Sequence, residues 1–214
     1  MAREDAERRV AEVFGAGNRE DLVRAYAAWA GRYDEDILSL DLRGPEIVAA
    51  MAARYLQDRA SPILDAGAGT GRIGALLAIL GYGHLVALDL SNAMLARARE
   101  RGVYRELHQG ALGDPLPFGD RTFSAVVAAG VFTTSHAPPG SFDELLRVTR
   151  PGGLLIFTLA TAAYERGGFK DKIDALEAED RWRLVEATAP FVGMPGSTAY
   201  QQHTARVLVF RTAE

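Results

Sequence analysis

Asp65, Gly67, Gly69 and Gly71 stand two residues apart, and a second acid, Asp89, follows 22 residues after Gly67. Glycines at this spacing open backbone conformations closed to other residues and let a ligand lie against the main chain. The apolar Ile63-Leu64 in front of the first acid reads as a buried strand. Ile73, Leu76, Leu77 and Leu80 recur at i, i+3, i+4 and i+7, one face of a helix. Strand, glycine turn and helix together form the first unit of a nucleotide-binding α/β domain, with free N–H groups and a positive dipole end at the turn. Leu85-Val86-Ala87-Leu88-Asp89 is a second apolar run that ends in an acid. A carboxylate at that distance from the turn can accept hydrogen bonds from both hydroxyls of a ribose. The expected ligand carries a ribose and no 2′-phosphate.

A dinucleotide fingerprint wants a small residue three positions after Gly69, and Arg72 stands there. An acid two residues before the first glycine suits a cationic ligand better than a pyrophosphate. At this point the sequence resembles the class I S-adenosylmethionine-dependent methyltransferases, whose first motif corresponds to Asp65 through Gly71 and whose ribose acid corresponds to Asp89. S-adenosylmethionine has an ammonium, a sulfonium and a ribose, and no phosphate. Leu116-Pro117-Phe118 followed by Phe123, and Leu146-Arg147-Val148-Thr149-Arg150-Pro151-Gly152-Gly153, are similar to two later segments of the family, so the resemblance covers about residues 45–160. Tyr26-Ala27-Ala28-Trp29-Ala30-Gly31-Arg32-Tyr33-Asp34 looks like the N-terminal helix of one subgroup, the methyltransferase-like proteins related to the one encoded in the Williams–Beuren region.

The resemblance implies S-adenosylmethionine as cofactor and S-adenosylhomocysteine as product. It implies cofactor contacts at Asp65, Gly67, Ala68, Gly69, Thr70, Gly71, Asp89, Leu90, Met94, Ala111 and Leu112, with Trp29 and Tyr33 in a lid. Two positions depart from the family pattern. The acid common after the third strand is replaced in Gly110-Ala111-Leu112, which leaves backbone groups of Ala111 and Leu112 to meet the adenine. The Asp often following the phenylalanine of the fourth strand is Ser124.

The elements that must position these residues are legible from pattern. Alanine-rich stretches predict helices over about 2–14 and 19–40, and Pro45 suits the first turn of another. Strands are expected at about 62–65, 84–89, 104–109, 123–131 and 154–159. Helices are expected at about 71–81, at 92–101 with Ser91 as N-cap and Gly102 as terminator, and at 169–180. Ser141-Phe142-Asp143-Glu144 has the form of a capping box opening a short helix that Pro151-Gly152-Gly153 stops. Trp182–Glu186 and Ala205–Phe210, with no helix between them, predict a hairpin. The fold class is therefore α/β: a doubly wound, mostly parallel, seven-stranded Rossmann-like sheet with a C-terminal antiparallel hairpin and an N-terminal helical extension. One domain is expected over 1–214, divided into an extension (1–44), a cofactor-binding core (45–160) and a substrate-side part (161–214).

Several of these residues have plainer readings. Asp89 could cap the helix after it, and Met94 with Leu95 could be ordinary core. Tyr26, Trp29 and Tyr33 fall on one helical face and could simply pack the extension. His136 follows the fourth strand, at the end that lines the ligand crevice in this architecture, so it is the candidate base; a surface loop histidine is the equal alternative. His84, His108 and His203 belong to no constellation.

The net charge of −4 argues against a nucleic-acid partner, and the absence of cysteine removes disulfides, thiolate catalysis and cysteine zinc sites. No metal is expected. No apolar run approaches the roughly 18 residues that a membrane span needs, and the charged start lacks a signal-peptide core, so a cytoplasmic protein is expected. The expected function is methyl transfer to a small molecule. The alternatives are a regulatory protein that holds S-adenosylmethionine or S-adenosylhomocysteine without transfer, and an NAD-dependent oxidoreductase.

Overall fold

Alternation along the strands decides how the chain is layered. In β1 (Ile63–Ala66) and β5 (Thr149–Ala160), successive residues are buried on opposite faces, so both faces of the sheet are covered. The computed structural model describes residues 2–214; Met1, the first residue of the expected extension, lies outside them. The parallel part contains β1, β2 (Leu85–Asp89), β3 (Tyr104–Gln109), β4 (Phe123–Phe132) and β5. β6 (Trp182–Ala187), the two-residue β7 (Phe191–Val192) and β8 (Thr204–Thr212) complete it, in the order β3-β2-β1-β4-β5-β8-β6 with β7 paired to β8. The expected hairpin is present as an antiparallel β6–β8 pair, and β8 inserts antiparallel between β5 and β6. β7 makes an eighth strand that the pattern did not announce.

One face carries α4 (Gly44–Tyr55) and α5 (Arg72–Ile79), packed on Ile63, Leu85, Val127 and Ile156. The other carries α7 (Ser141–Val148), α8 (Thr161–Arg166) and α9 (Phe169–Ala178) over an aromatic core of Phe132, Phe142, Phe157, Phe169, Trp182 and Phe210. Within it the Trp182 and Phe210 rings stack at 4.1 Å. α6 (Asn92–Glu100) follows β2, and Ser91 is its N-cap, accepting from the Met94 N–H at 3.4 Å.

Two sequence expectations fail locally. The single helix over 19–40 is two: α2 (Arg19–Trp29) and α3 (Tyr33–Ser39), turning at Ala30-Gly31-Arg32. The break brings Asp36 back beneath Trp29, where it accepts the indole N–H at 2.7 Å and pairs with Arg9 of α1 (Ala2–Phe14) at 2.6 Å. A continuous helix would carry Asp36 two turns away from Trp29. The capping box also does not form. Gly140 holds the N-cap position of α7, and the Ser141 hydroxyl is buried without a partner. Glu144 instead accepts from the Leu116 N–H at 2.7 Å and pairs with Arg147. Its carboxylate ties the loop before β4 to the helix, which outweighs one end-cap bond.

The helices α1, α2 and α3 form a separate apolar cluster that includes Val10, Leu22, Trp29 and Ile37 and reaches Met194 and Tyr200. This cluster sits at the C-terminal ends of the parallel strands, where the order reverses between β1 and β4 and a crevice must open.

Candidate active site

The chain leaves β1 through Gly67, Gly69 and Gly71, all at positive φ (+76°, +55° and +83°). The three glycines do different things. A Cβ on Gly67 would lie 2.3 Å from Val131 Cγ2, so the turn is pressed against the end of β4. A Cβ on Gly69 would meet open space, and this is the side on which the turn faces a cavity. Gly71 begins α5 and faces away, with its would-be Cβ 2.8 Å from the Tyr104 ring.

That cavity holds about 570 Å³, in the range of small-molecule sites. Its floor is the set of strand ends: Gly67 to Thr70 after β1, Asp89 and Leu90 after β2, Ala111 and Leu112 after β3, and Ala129 to Val131 of β4. Met94 of α6 lies on one side, and Trp29 and Tyr33 of the extension close over it. So eleven of the thirteen sequence-nominated cofactor residues (Gly67, Ala68, Gly69, Thr70, Asp89, Leu90, Met94, Ala111, Leu112, Trp29 and Tyr33) share one wall, and the nominated base His136 joins them.

Asp65 and Gly71 do not. Asp65 is 1% exposed and its Oδ2 accepts the Tyr104 hydroxyl at 2.6 Å, away from the cavity. Burial pushes its carboxyl up to about 7. The expectation that the acid faces the ligand is corrected here. With Gly71 and Gly74, Asp65 makes a slot for Tyr104, since a Cβ on Gly74 would lie 2.2 Å from the Tyr104 hydroxyl. Tyr104 was missed because a strand-edge tyrosine has no motif; its signal was Gly74, a glycine inside an otherwise good helix.

Asp89 takes neither plain reading alone. Its Oδ2 accepts the Gly69 N–H at 2.7 Å and its Oδ1 the Ser91 N–H at 2.8 Å, so it fastens the glycine turn to the start of α6. Burial raises its pKa against these amide bonds. A carboxylate has about four lone-pair sites, so each oxygen keeps capacity for one hydroxyl. Thr70 is buried and its hydroxyl donates to Asp34 at 2.6 Å. Asp34 also pairs with Arg101 at 2.6 Å, which binds the α2–α3 corner to the turn.

At the other part of the wall, His136 Nε2 lies 2.8 Å from the Tyr26 hydroxyl and its Nδ1 2.6 Å from Thr133 Oγ1. Burial lowers its pKa to about 4, so the ring is neutral near pH 7. The same burial drives the Tyr26 hydroxyl well above its ordinary value and Tyr33 up to about 12. Phe14 packs edge-on to His136 with ring centres 5.8 Å apart. Phe14 is a wall residue that the sequence reading did not single out, and it carries no local signal; Tyr26 was singled out with Trp29 and Tyr33 on one helical face but not among the cofactor contacts.

The wall tests well for a ribosylated cation. Among the described residues its arginines are Arg19, held bidentately by Asp114, and Arg72, held by Glu46, so neither is free to meet a phosphate. Leu90, Met94, Ala111 and Leu112 offer apolar and backbone surface to an adenine, beside a carboxylate suited to a diol. From residues 161–214, Met194 alone among the described residues reaches the wall. No described helix is long and apolar enough to cross a membrane.

Comparison with known proteins agrees with this geometry. The methyltransferase domain profile matches residues 64–157. Human methyltransferase-like protein 27 is 31% identical over 185 residues, covering 84% of this chain and 75% of that protein. Malonyl-[acyl-carrier protein] O-methyltransferase of Serratia marcescens is 29% identical, covering 87% and 69%. Among solved structures, a SAM-dependent methyltransferase of Thermotoga maritima shares the fold with a TM-score of 0.62 at 16% identity, covering 88% of this chain and 98% of that one. The methyltransferase domain match and the 31% identity to methyltransferase-like protein 27, on a chain with this glycine turn and an acid at the end of β2, place this chain in the class I S-adenosylmethionine-dependent methyltransferases, as a relative of methyltransferase-like protein 27.

Proposed function

We propose that the cavity seats S-adenosylmethionine at the strand ends and that its methyl group passes to a small-molecule acceptor enclosed beneath α1 and α2, with S-adenosylhomocysteine released. When bound, the cofactor supplies a methyl group on a sulfonium, already activated for displacement. The protein's work is then to hold an acceptor close and in line. Gly67, Ala68 and Gly69 present backbone to the aminoacyl end, and Asp89 accepts the ribose hydroxyls. Leu90, Met94, Ala111 and Leu112 surround the adenine. The faces of Trp29 and Tyr33 lie toward the positive sulfur, where aromatic rings stabilise a cation. Asp65, Gly71 and Tyr104 act one layer below, holding the turn.

One observation carries the reading: one cavity is lined both by the Asp89–Gly69 clasp and by the neutral Tyr26–His136 pair, with residues of α1 and α2 on its wall. A macromolecular acceptor would need an open approach, and here α1 and α2 cover the strand ends. The test is incubation with methyl-labelled S-adenosylmethionine and fractionated cell extract. Label is expected in the small-molecule fraction; label confined to protein or nucleic acid would refute the small-molecule assignment.

A further inference from the structure

The wall carries three formally charged side chains, and each is already engaged: Arg19 with Asp114, Arg72 with Glu46, and Asp89 with the Gly69 and Ser91 amides. Phe14 packs against His136, and Val10, Val13, Leu22 and Met194 are apolar residues of the same wall. A charged acceptor placed there would lose its water without gaining a counter-ion, which disfavours its binding. Uncharged polar groups on the wall include Asn18, Thr134, Ser135, Tyr26 and His136, and the last two are already paired. A phenol is the better donor and a neutral imidazole the better acceptor. Tyr26 therefore donates to His136 Nε2 at 2.8 Å, and the Nδ1–H donates to Thr133 Oγ1 at 2.6 Å. That assignment leaves the lone pairs of the Tyr26 oxygen facing the cavity as the acceptor for one hydroxyl.

We propose, resting on the methyl-transfer reading above, that the methyl acceptor is an uncharged aromatic alcohol of the phenol class, held by donating its hydroxyl hydrogen to Tyr26, with His136 behind Tyr26 receiving the proton. As the acceptor oxygen bonds to the methyl carbon, the carbon–sulfur bond breaks with its electron pair left on sulfur. The hydroxyl proton moves to the Tyr26 oxygen, and Tyr26's own proton moves to His136 Nε2. One positive charge on sulfur is replaced by one on imidazole, so the buried cavity keeps its net charge, and the proton later leaves to solvent. Tyr26 is then the residue that touches the acceptor, and His136 is a positioning and proton-receiving residue acting through it. The rings of Phe14, Tyr26 and His136, with Phe14 and Tyr26 each 5.8 Å from His136, provide stacking and edge surfaces for a planar body.

The test is calorimetry on the protein saturated with S-adenosylhomocysteine, against three size-matched sets of one- and two-ring aromatic fragments: phenols, carboxylates and benzylic amines. Phenols are expected to bind at least tenfold tighter than the other two sets. Tyr26→Phe should weaken phenols by about two- to tenfold, the worth of one neutral hydrogen bond. His136→Gln should leave phenol binding within threefold while lowering kcat for phenol methylation by about a hundredfold or more. Both variants are checked for unchanged S-adenosylhomocysteine affinity and a cooperative melt. Carboxylates or amines binding as well as phenols, no fragment binding while S-adenosylhomocysteine binds, or phenol affinity unchanged in Tyr26→Phe would each overturn the inference. An unaltered kcat in His136→Gln would overturn the relay. Failure of the wild-type protein to bind S-adenosylhomocysteine at all would instead defeat the cofactor seating proposed earlier.

Discussion

Gly67 and Gly74 are both glycines because something stands where a side chain would go, yet substituting them should do different things. At Gly67 the obstacle is Val131 on the cavity wall, and φ is +76°. Gly67→Val is expected to remove measurable S-adenosylhomocysteine binding in a calorimetric titration while leaving a folded protein. At Gly74 the obstacle is the Tyr104 hydroxyl, away from the cavity. Gly74→Ala should lower stability by about 1–3 kcal/mol in urea unfolding through overpacking, with affinity changed far less. Asp89 is a third kind of case. Charge-assisted hydrogen bonds are worth roughly 1.5–3 kcal/mol, so Asp89→Ala should weaken S-adenosylhomocysteine by about ten- to a hundredfold. A loss under threefold would make Asp89 purely a fastener between the turn and α6.

At the scale of elements, the extension is held to the core by polar clasps beside its apolar contacts with Met194 and Tyr200. Arg19 grips Asp114, Asp34 meets Thr70 and Arg101, and Glu7 accepts from the backbone N–H of Thr198 at 3.0 Å. Elements attached in this way open at lower free-energy cost than the sheet, as lids do. Amide exchange across α2 and α3 is expected to slow when S-adenosylhomocysteine is added; identical protection with and without it would leave Trp29 and Tyr33 as packing residues only. What the sequence disclosed follows the range of the causes. β1, β2 and their glycine turn were legible because apolar runs and turn glycines act locally. The α2–α3 break was not, because its cause is Arg9 and Asp36, 27 residues apart, meeting at Trp29. The facing of Asp65 was hidden for the same reason: its partner Tyr104 lies 39 residues on, across the sheet. The failed capping box shows a local rule losing to a long-range bond, that of Glu144 with the Leu116 amide.

For the whole molecule, two buried groups pull the pH dependence of stability in opposite directions. Asp65 has a folded pKa of about 7, raised from 3.8, so its contribution is fully present below pH 3.8 and is lost as pH rises through 7. His136 has a folded pKa of about 4, lowered from 6.5, so its contribution is fully present above pH 6.5 and is lost as pH falls through 4. Between pH 4 and 6.5 the two slopes oppose, each at most about 1.4 kcal/mol per pH unit. Asp65→Asn should therefore make stability rise more steeply with pH in that window, and His136→Gln should make it fall. Denaturant midpoints at pH 4.5, 5.5 and 6.5 read both; parallel curves for all three proteins would mean that neither group is perturbed by folding.

The position of β8 also bears on how the chain is made. β6 is synthesised before β8, yet among the described residues its one ladder partner is β8, and β8 also covers the flank of β5. Until Thr212 has left the ribosome, Trp182 lacks the stacked ring of Phe210, and β5 has an open edge from Leu154 to Ala160. Domains generally fold as units, N-terminal ones first, during synthesis. Here the sheet can close only when the last strand arrives, so a ribosome-tethered chain should stay protease-sensitive through residue 203 and become resistant in one step once β8 is free of the exit tunnel.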